Sequence, residues 1–142
     1  MSPAARPKAD LYLSILLRRL APGMWAIDEL TDAVVEQLEA LGKQTLHFDL
    51  RGAVTKDDVL KALGTQGDFP TYYGRNWDAA YDCLTELEPG LVLVRGTSEI
   101  EPSAVSTLAG IFSDAATHWA AQSATYVVWE GPASDEAPAL PR

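Results

Sequence analysis

Short apolar runs and longer stretches with an apolar residue every three or four positions take turns along this chain. The first run, Leu11 to Leu20 with Arg18-Arg19 inside it, is cut by Ala21-Pro22-Gly23. Met24-Trp25-Ala26-Ile27 then reads as a strand. Asp28 can cap a helix over about residues 29–41, where Leu30, Val34, Leu38 and Leu41 keep to one side and Gly42 supplies the stop. Thr45 to Leu50 alternates as a strand and Arg51-Gly52 turns the chain. Thr55-Lys56-Asp57-Asp58 is a capping pattern ahead of a short helix carrying Val59, Leu60 and Leu63. From Gly64 to Gly74 the chain is rich in Gly, Pro and Tyr, the profile of a positioned loop. Asn76 caps a helix that starts at Trp77, buries Trp77, Ala80, Leu84 and Leu87, and stops at Glu88-Pro89-Gly90. Leu91 to Val94 is apolar on both faces, as a central strand of a parallel sheet is. A helix over about 104–121 sets Val105, Leu108, Ile111, Phe112, Ala115 and Trp119 on one stripe, and Thr125 to Glu130 forms a last strand. The prolines and acids from Gly131 onward predict a mobile tail over 131–142.

Strands separated by helices argue for an α/β fold, a small and mainly parallel sheet covered by helices. The strand and helix at 24–41 form one more βα unit on the same sheet, because about 40 residues bury too little core to stand alone. Residues 1–130 are therefore expected to make one domain, and 142 residues with 47% apolar and 22% charged content suit a single soluble unit with a real core. No internal repeat is visible.

Charge narrows the partners. The formal net charge is -9, and residues 1–23, with four basic residues and one acid, leave -12 on the rest. No Lys/Arg stripe offers phosphates a landing place, so direct nucleic-acid binding is not expected and a basic protein partner is favoured by steering. The single cysteine, Cys83, has no intrachain partner, which points to a reducing, cytoplasmic setting. Leu11 to Leu17 resembles a short signal-peptide core, but Arg18-Arg19 follow and no small-x-small cleavage site appears. No run approaches the roughly 20 apolar residues that cross a bilayer, so no membrane association is expected.

Helical spacing puts Asp78, Asp82 and Glu86 on one face at i, i+4 and i+8. Each like-charged pair costs about 0.2–0.5 kcal/mol, partly relieved at Asp78 by the helix N-terminus. Two acids on one helical face cannot flank a substrate as glycosidase carboxylates do. His47 sits in a strand pattern and His118 near a helix end, no serine has a nucleophile-elbow sequence, and no Gly-rich phosphate loop appears. Neither catalysis nor a cofactor is expected. The stripe could be a solvated face, could share a divalent ion, or could meet a partner. Tyr72, Tyr73, Trp77 and Tyr81 crowd the same loop and first turns, and Tyr and Trp beside charges are what a binding hot spot contains. Trp77 is assigned mainly to packing.

Pro70-Thr71-Tyr72-Tyr73-Gly74-Arg75-Asn76-Trp77-Asp78-Ala79-Ala80-Tyr81-Asp82-Cys83-Leu84 resembles the signature segment of the barstar family of bacterial ribonuclease inhibitors. The likeness runs from about residue 45 to 130, through His47-Phe48-Asp49-Leu50 and Ile111-Phe112-Ser113-Asp114-Ala115, with residues 11–43 as an N-terminal extension. The resemblance implies a protein that plugs the active site of a small secreted guanyl-specific ribonuclease, or serves as an immunity protein against a toxin nuclease. Asp82 would enter the phosphate site, Asp78 would meet an adjacent donor, and Tyr72 would stack on a catalytic histidine. Gly74 would allow close backbone approach, Asn76 would shape the loop, Thr85 would share the face, and Asp114 would add a second acidic contact. Tyr81 stands where the family commonly has Trp, Asp114 is shorter than the family's Glu, and Arg75 sits where an acid can occur. The alternative is a barstar-fold module for a different basic partner, or a divalent-metal face.

Overall fold

The computed structural model describes residues 13, 15–70 and 72–141. Its elements are β1 (Gly23–Ile27), α1 (Asp32–Glu39), β2 (Thr45–Asp49), α2 (Lys56–Gln66), α3 (Trp77–Glu86), β3 (Leu91–Arg95), α4 (Pro102–Ser123) and β4 (Tyr126–Glu130). The four strands form one parallel sheet in the order β1-β4-β3-β2. The expected α/β architecture is therefore the observed one.

Right-handed crossovers explain how the helices divide. From β1 the chain crosses the whole sheet to β2, and α1 lies on one face with Val34, Val35 and Leu38 against Leu91, Leu93, Tyr126 and Val128. From β2 it returns stepwise to β3 and β4, so α2, α3 and α4 lie on the other face. There Phe112 fills the centre, its ring 5.6 Å from Phe48 and 6.2 Å from Trp129. Every residue of β3 is buried, Leu91 to Val94 through their unbroken apolar run and Arg95 with its guanidinium donating to Asp32 at 2.9 Å.

The extension seals the second face. Leu13 and Leu17 are buried with Ile27, Leu30 and Leu38, so the early apolar run packs on its own sheet; Leu11, Tyr12 and Ser14 of that run lie outside the described residues. Arg18 Nη2 donates to Leu41 O at 2.9 Å and the Tyr126 hydroxyl to Leu20 O at 2.9 Å. The helix of this unit is shorter than its periodicity implied. Thr31, not Asp28, is the N-cap, accepting from Val34 N. Leu30 and Leu41 are buried from non-helical backbone at either end, which is why the apolar pattern outruns the helix.

Residues 131–141 do not behave as the expected tail. Ala26 N donates to Pro138 O at 2.8 Å, Leu140 N donates to Ala26 O at 2.7 Å, and Ala137 and Leu140 are buried. The outer edge of β1 has backbone groups that need partners, and proline, although no donor, still supplies a carbonyl. Across the sheet, the Gln66 side chain pairs with β2's edge: Asp49 N donates to Oε1 at 2.6 Å and Nε2 donates to Asp49 O at 2.8 Å. A side-chain amide thus takes the place of a neighbouring peptide.

Candidate protein-binding face

Residues 67–76 connect α2 to α3 and divide the aromatic cluster in two. Tyr73 turns inward. Its ring meets Phe69 edge-on at 5.0 Å, and its hydroxyl donates to Leu60 O at 3.2 Å. Only glycine fits at position 64 opposite this ring, since a Cβ there would stand 2.9 Å from Tyr73 Cδ2. Burial pushes the Tyr73 phenol up to about 12, so it stays a neutral donor. Tyr72 points the other way and is 84% exposed, the largest exposure among the big apolar or aromatic side chains described. Gly74 and Arg75 are exposed, and Arg75 takes a left-handed backbone at φ 48°. Asn76 caps α3 as expected, accepting from Ala79 N at 2.8 Å.

Helix α3 buries Ala80 and Leu84 and half-buries Trp77, Tyr81 and Cys83, which leaves Asp78, Asp82 and Glu86 exposed. Its far end is fixed to α4 by the Trp119 indole, which donates to Leu87 O at 3.0 Å. Between the two helices Asp78, Tyr81, Asp82, Ile111 and Asp114 line an open depression of ≈ 430 Å³. Three carboxylates from two helices thus meet around one concavity. Among the described residues none of the three forms a salt bridge or accepts a hydrogen bond at its side chain. Some carboxylates elsewhere are engaged: Asp58 with Val54 N and Thr55 N, Asp49 with Arg51, Glu130 with Leu30 N and Gly96 N.

Sequence reasoning assigned Ile111 to the core stripe of its helix and missed its place in the depression. It lies three residues before Asp114 on α4, and that i, i+3 relation was the available signal. Glu86 is exposed but does not line the concavity. The Thr85 hydroxyl donates back to Tyr81 O at 2.9 Å and offers a partner only its lone pairs. Burial first, then the charges of Glu86 and Asp82, raise the Cys83 pKa, which favours the protonated thiol.

Other chemistry finds little here. His47 lies half-buried in β2 and His118 half-buried on α4, neither lining the depression. Among the described residues no three His, Cys, Asp or Glu side chains are grouped closely enough to hold a metal ion, so the divalent-ion alternative for Asp78, Asp82 and Glu86 has no ligand set. No helix of the described residues is long and apolar enough to cross a membrane.

A family model described as Barstar (barnase inhibitor) matches residues 43–129, more than half of the chain. The chain belongs to the barstar family. The match opens just before β2 and closes at the end of β4, so β1, α1 and the helical residues before them are additions to the barstar domain. No curated protein matches the chain.

Proposed function

We propose that this protein is an intracellular inhibitor of a small, basic, secreted guanyl-specific ribonuclease, acting by occupying the enzyme's active site and not by catalysis. The observation that carries the proposal is the convergence of Asp78, Asp82 and Asp114 on one open depression, with no partner for their carboxylates among the described residues. A ribonuclease collects Arg, Lys and His around a phosphate, and carboxylates fixed on two packed helices can replace that phosphate with charge-assisted hydrogen bonds. Holding three like charges together without a counter-ion costs stability, and a cationic partner returns it.

In this proposal Asp82 is the central anchor and Asp78 and Asp114 engage flanking cations. Tyr72, already outside the fold, stacks on an imidazole, and Tyr81 forms the aromatic wall. Gly74 lets the partner's backbone approach, Asn76 holds the loop against α3, and Thr85 offers an acceptor. The net charge of -9 speeds encounter with a basic enzyme and makes the association rate fall with salt. An intracellular inhibitor would keep the producing cell's RNA intact before export.

The test is a titration of such a ribonuclease with this protein, scored by RNA cleavage, beside Asp82→Ala. Stoichiometric inhibition that the variant loses is the expected result. Failure to inhibit any of several guanyl-specific ribonucleases would overturn it in favour of an immunity or binding role toward a different basic protein.

A further inference from the structure

The loop that carries Tyr72 is fastened by residues that take no part in the acidic depression. Gly64 lies inside α2, although glycine is a poor helix former. It meets the loop twice. Its carbonyl accepts from Phe69 N at 2.9 Å, and a Cβ on it would stand 2.9 Å from both Cδ2 and Cε2 of Tyr73. The space it leaves is filled by a ring whose hydroxyl donates to Leu60 O at 3.2 Å, one turn earlier on the same helix. An alanine at 64 facing a smaller side chain at 73 would give a better helix, but that side chain would not reach Leu60 O.

The same tyrosine shapes the backbone. Tyr73 N donates to Pro70 O at 2.9 Å, closing a turn that carries Tyr72 near its tip. Non-glycine residues in left-handed backbone stand on either side of this turn, Asp68 at φ 52° and Arg75 at φ 48°. Such strain persists only where the surroundings over-determine the path of the chain. Tyr72 is 84% exposed and rests little of its own surface on the fold, so the turn sets its direction.

We infer that Gly64 and Tyr73 are positioning residues for partner binding, holding the turn so that Tyr72 is ordered before the partner arrives. The inference rests on the ribonuclease reading, in which Tyr72 touches the enzyme, and adds the source of that contact's rigidity. A contact ordered in advance loses less freedom on association, and the gain falls mainly on the dissociation rate. A glycine that weakens α2 is thereby explained by what it does for the loop.

Two measurements on the full chain test it. Without a partner, amide nitrogen relaxation should show Tyr72 and Gly74 ordered in the wild type and mobile in Gly64→Ala. The α3 amides should not change, and the urea midpoint should hold or rise, since alanine favours the helix. With a guanyl-specific ribonuclease, Gly64→Ala should speed dissociation about tenfold and Tyr73→Phe about threefold, with association within about twofold of wild type. Both effects should shrink below about twofold in a Tyr72→Ala background and persist in an Asp114→Ala background, a pattern that general loosening of the fold does not produce. Tyr73→Phe removes only a hydroxyl and carries both measurements if Gly64→Ala fails to fold. Unchanged order at Tyr72 in the variants, a full effect in the Tyr72→Ala background, or a loss of affinity that tracks a fall in the urea midpoint would overturn the inference. A wild-type chain that binds no such ribonuclease would overturn the reading beneath it, and the relaxation measurement would still decide whether Gly64 and Tyr73 hold the turn.

Discussion

The two ends of the acid distribution in this protein do opposite work. Glu130 sits where β4 ends and gives both carboxylate oxygens to backbone N–H groups of two loops, so its charge is consumed by the fold. Asp78, Asp82 and Asp114 bear the same charge on packed helices and give it to no partner among the described residues. The contrast teaches that net acidity alone does not locate a site, whereas carboxylates held together on packed elements and left unspent do. A carboxylate committed to N–H groups is part of the scaffold; one held rigid and unpaired is available to a partner.

The sharpest break of this contrast is Asp82→Ala. It should remove about 3–5 kcal/mol of ribonuclease binding, because the partner's buried cations lose their counter-charge, while urea unfolding changes by less than about 0.5 kcal/mol. Equal losses in both measurements would erase the distinction. Glu130→Gln should do the reverse, costing about 2 kcal/mol in urea unfolding by setting an amide against a backbone N–H, with inhibition stoichiometry kept. Thr55→Ala, at the cap of α2 whose hydroxyl accepts from Asp58 N at 3.1 Å, should cost about 1 kcal/mol in the same assay.

A smaller effect separates the sheet from its acidic surroundings. Desolvation, then the nearby Arg95, pushes the His47 imidazole below its usual 6.5, with Asp49 and Glu39 acting weakly the other way. The unfolded chain therefore takes up a proton before the folded one does. Stability is full above pH 6.5 and falls as pH drops toward the folded value. Unfolding free energies measured between pH 7 and 5 should lose part of this slope in His47→Gln, and an unchanged slope would count against the buried imidazole as its source.

Much of this was legible in the sequence, for reasons that differ by element. The β3 strand and the α4 stripe are periodic over enough residues that packing had one solution. Asn76 and Thr55 announced α3 and α2 through local capping chemistry. The docking of 131–141 was not legible, because what holds it is β1's unpaired backbone edge, a feature of topology and not of composition. Ile111 was hidden for a related reason: a residue at the rim of a core stripe carries the same letter whether it faces the core or a groove. The opposite fates of Tyr72 and Tyr73 were equally invisible, since only the space that Gly64 leaves decides which ring turns in.

The cover on the sheet's edges restricts how this molecule can meet others. With Gln66 standing in for a peptide along β2 and residues 138–140 laid along β1, neither border offers a long open ladder for a foreign strand to extend. Strand addition, the route by which exposed edges recruit neighbours and aggregate, is opposed where these groups are already paired, at Ala26 on β1 and Asp49 on β2. Recognition then falls to side chains on helices, where charge and shape choose the partner, with the sheet's paired edge groups already spent on the chain's own residues.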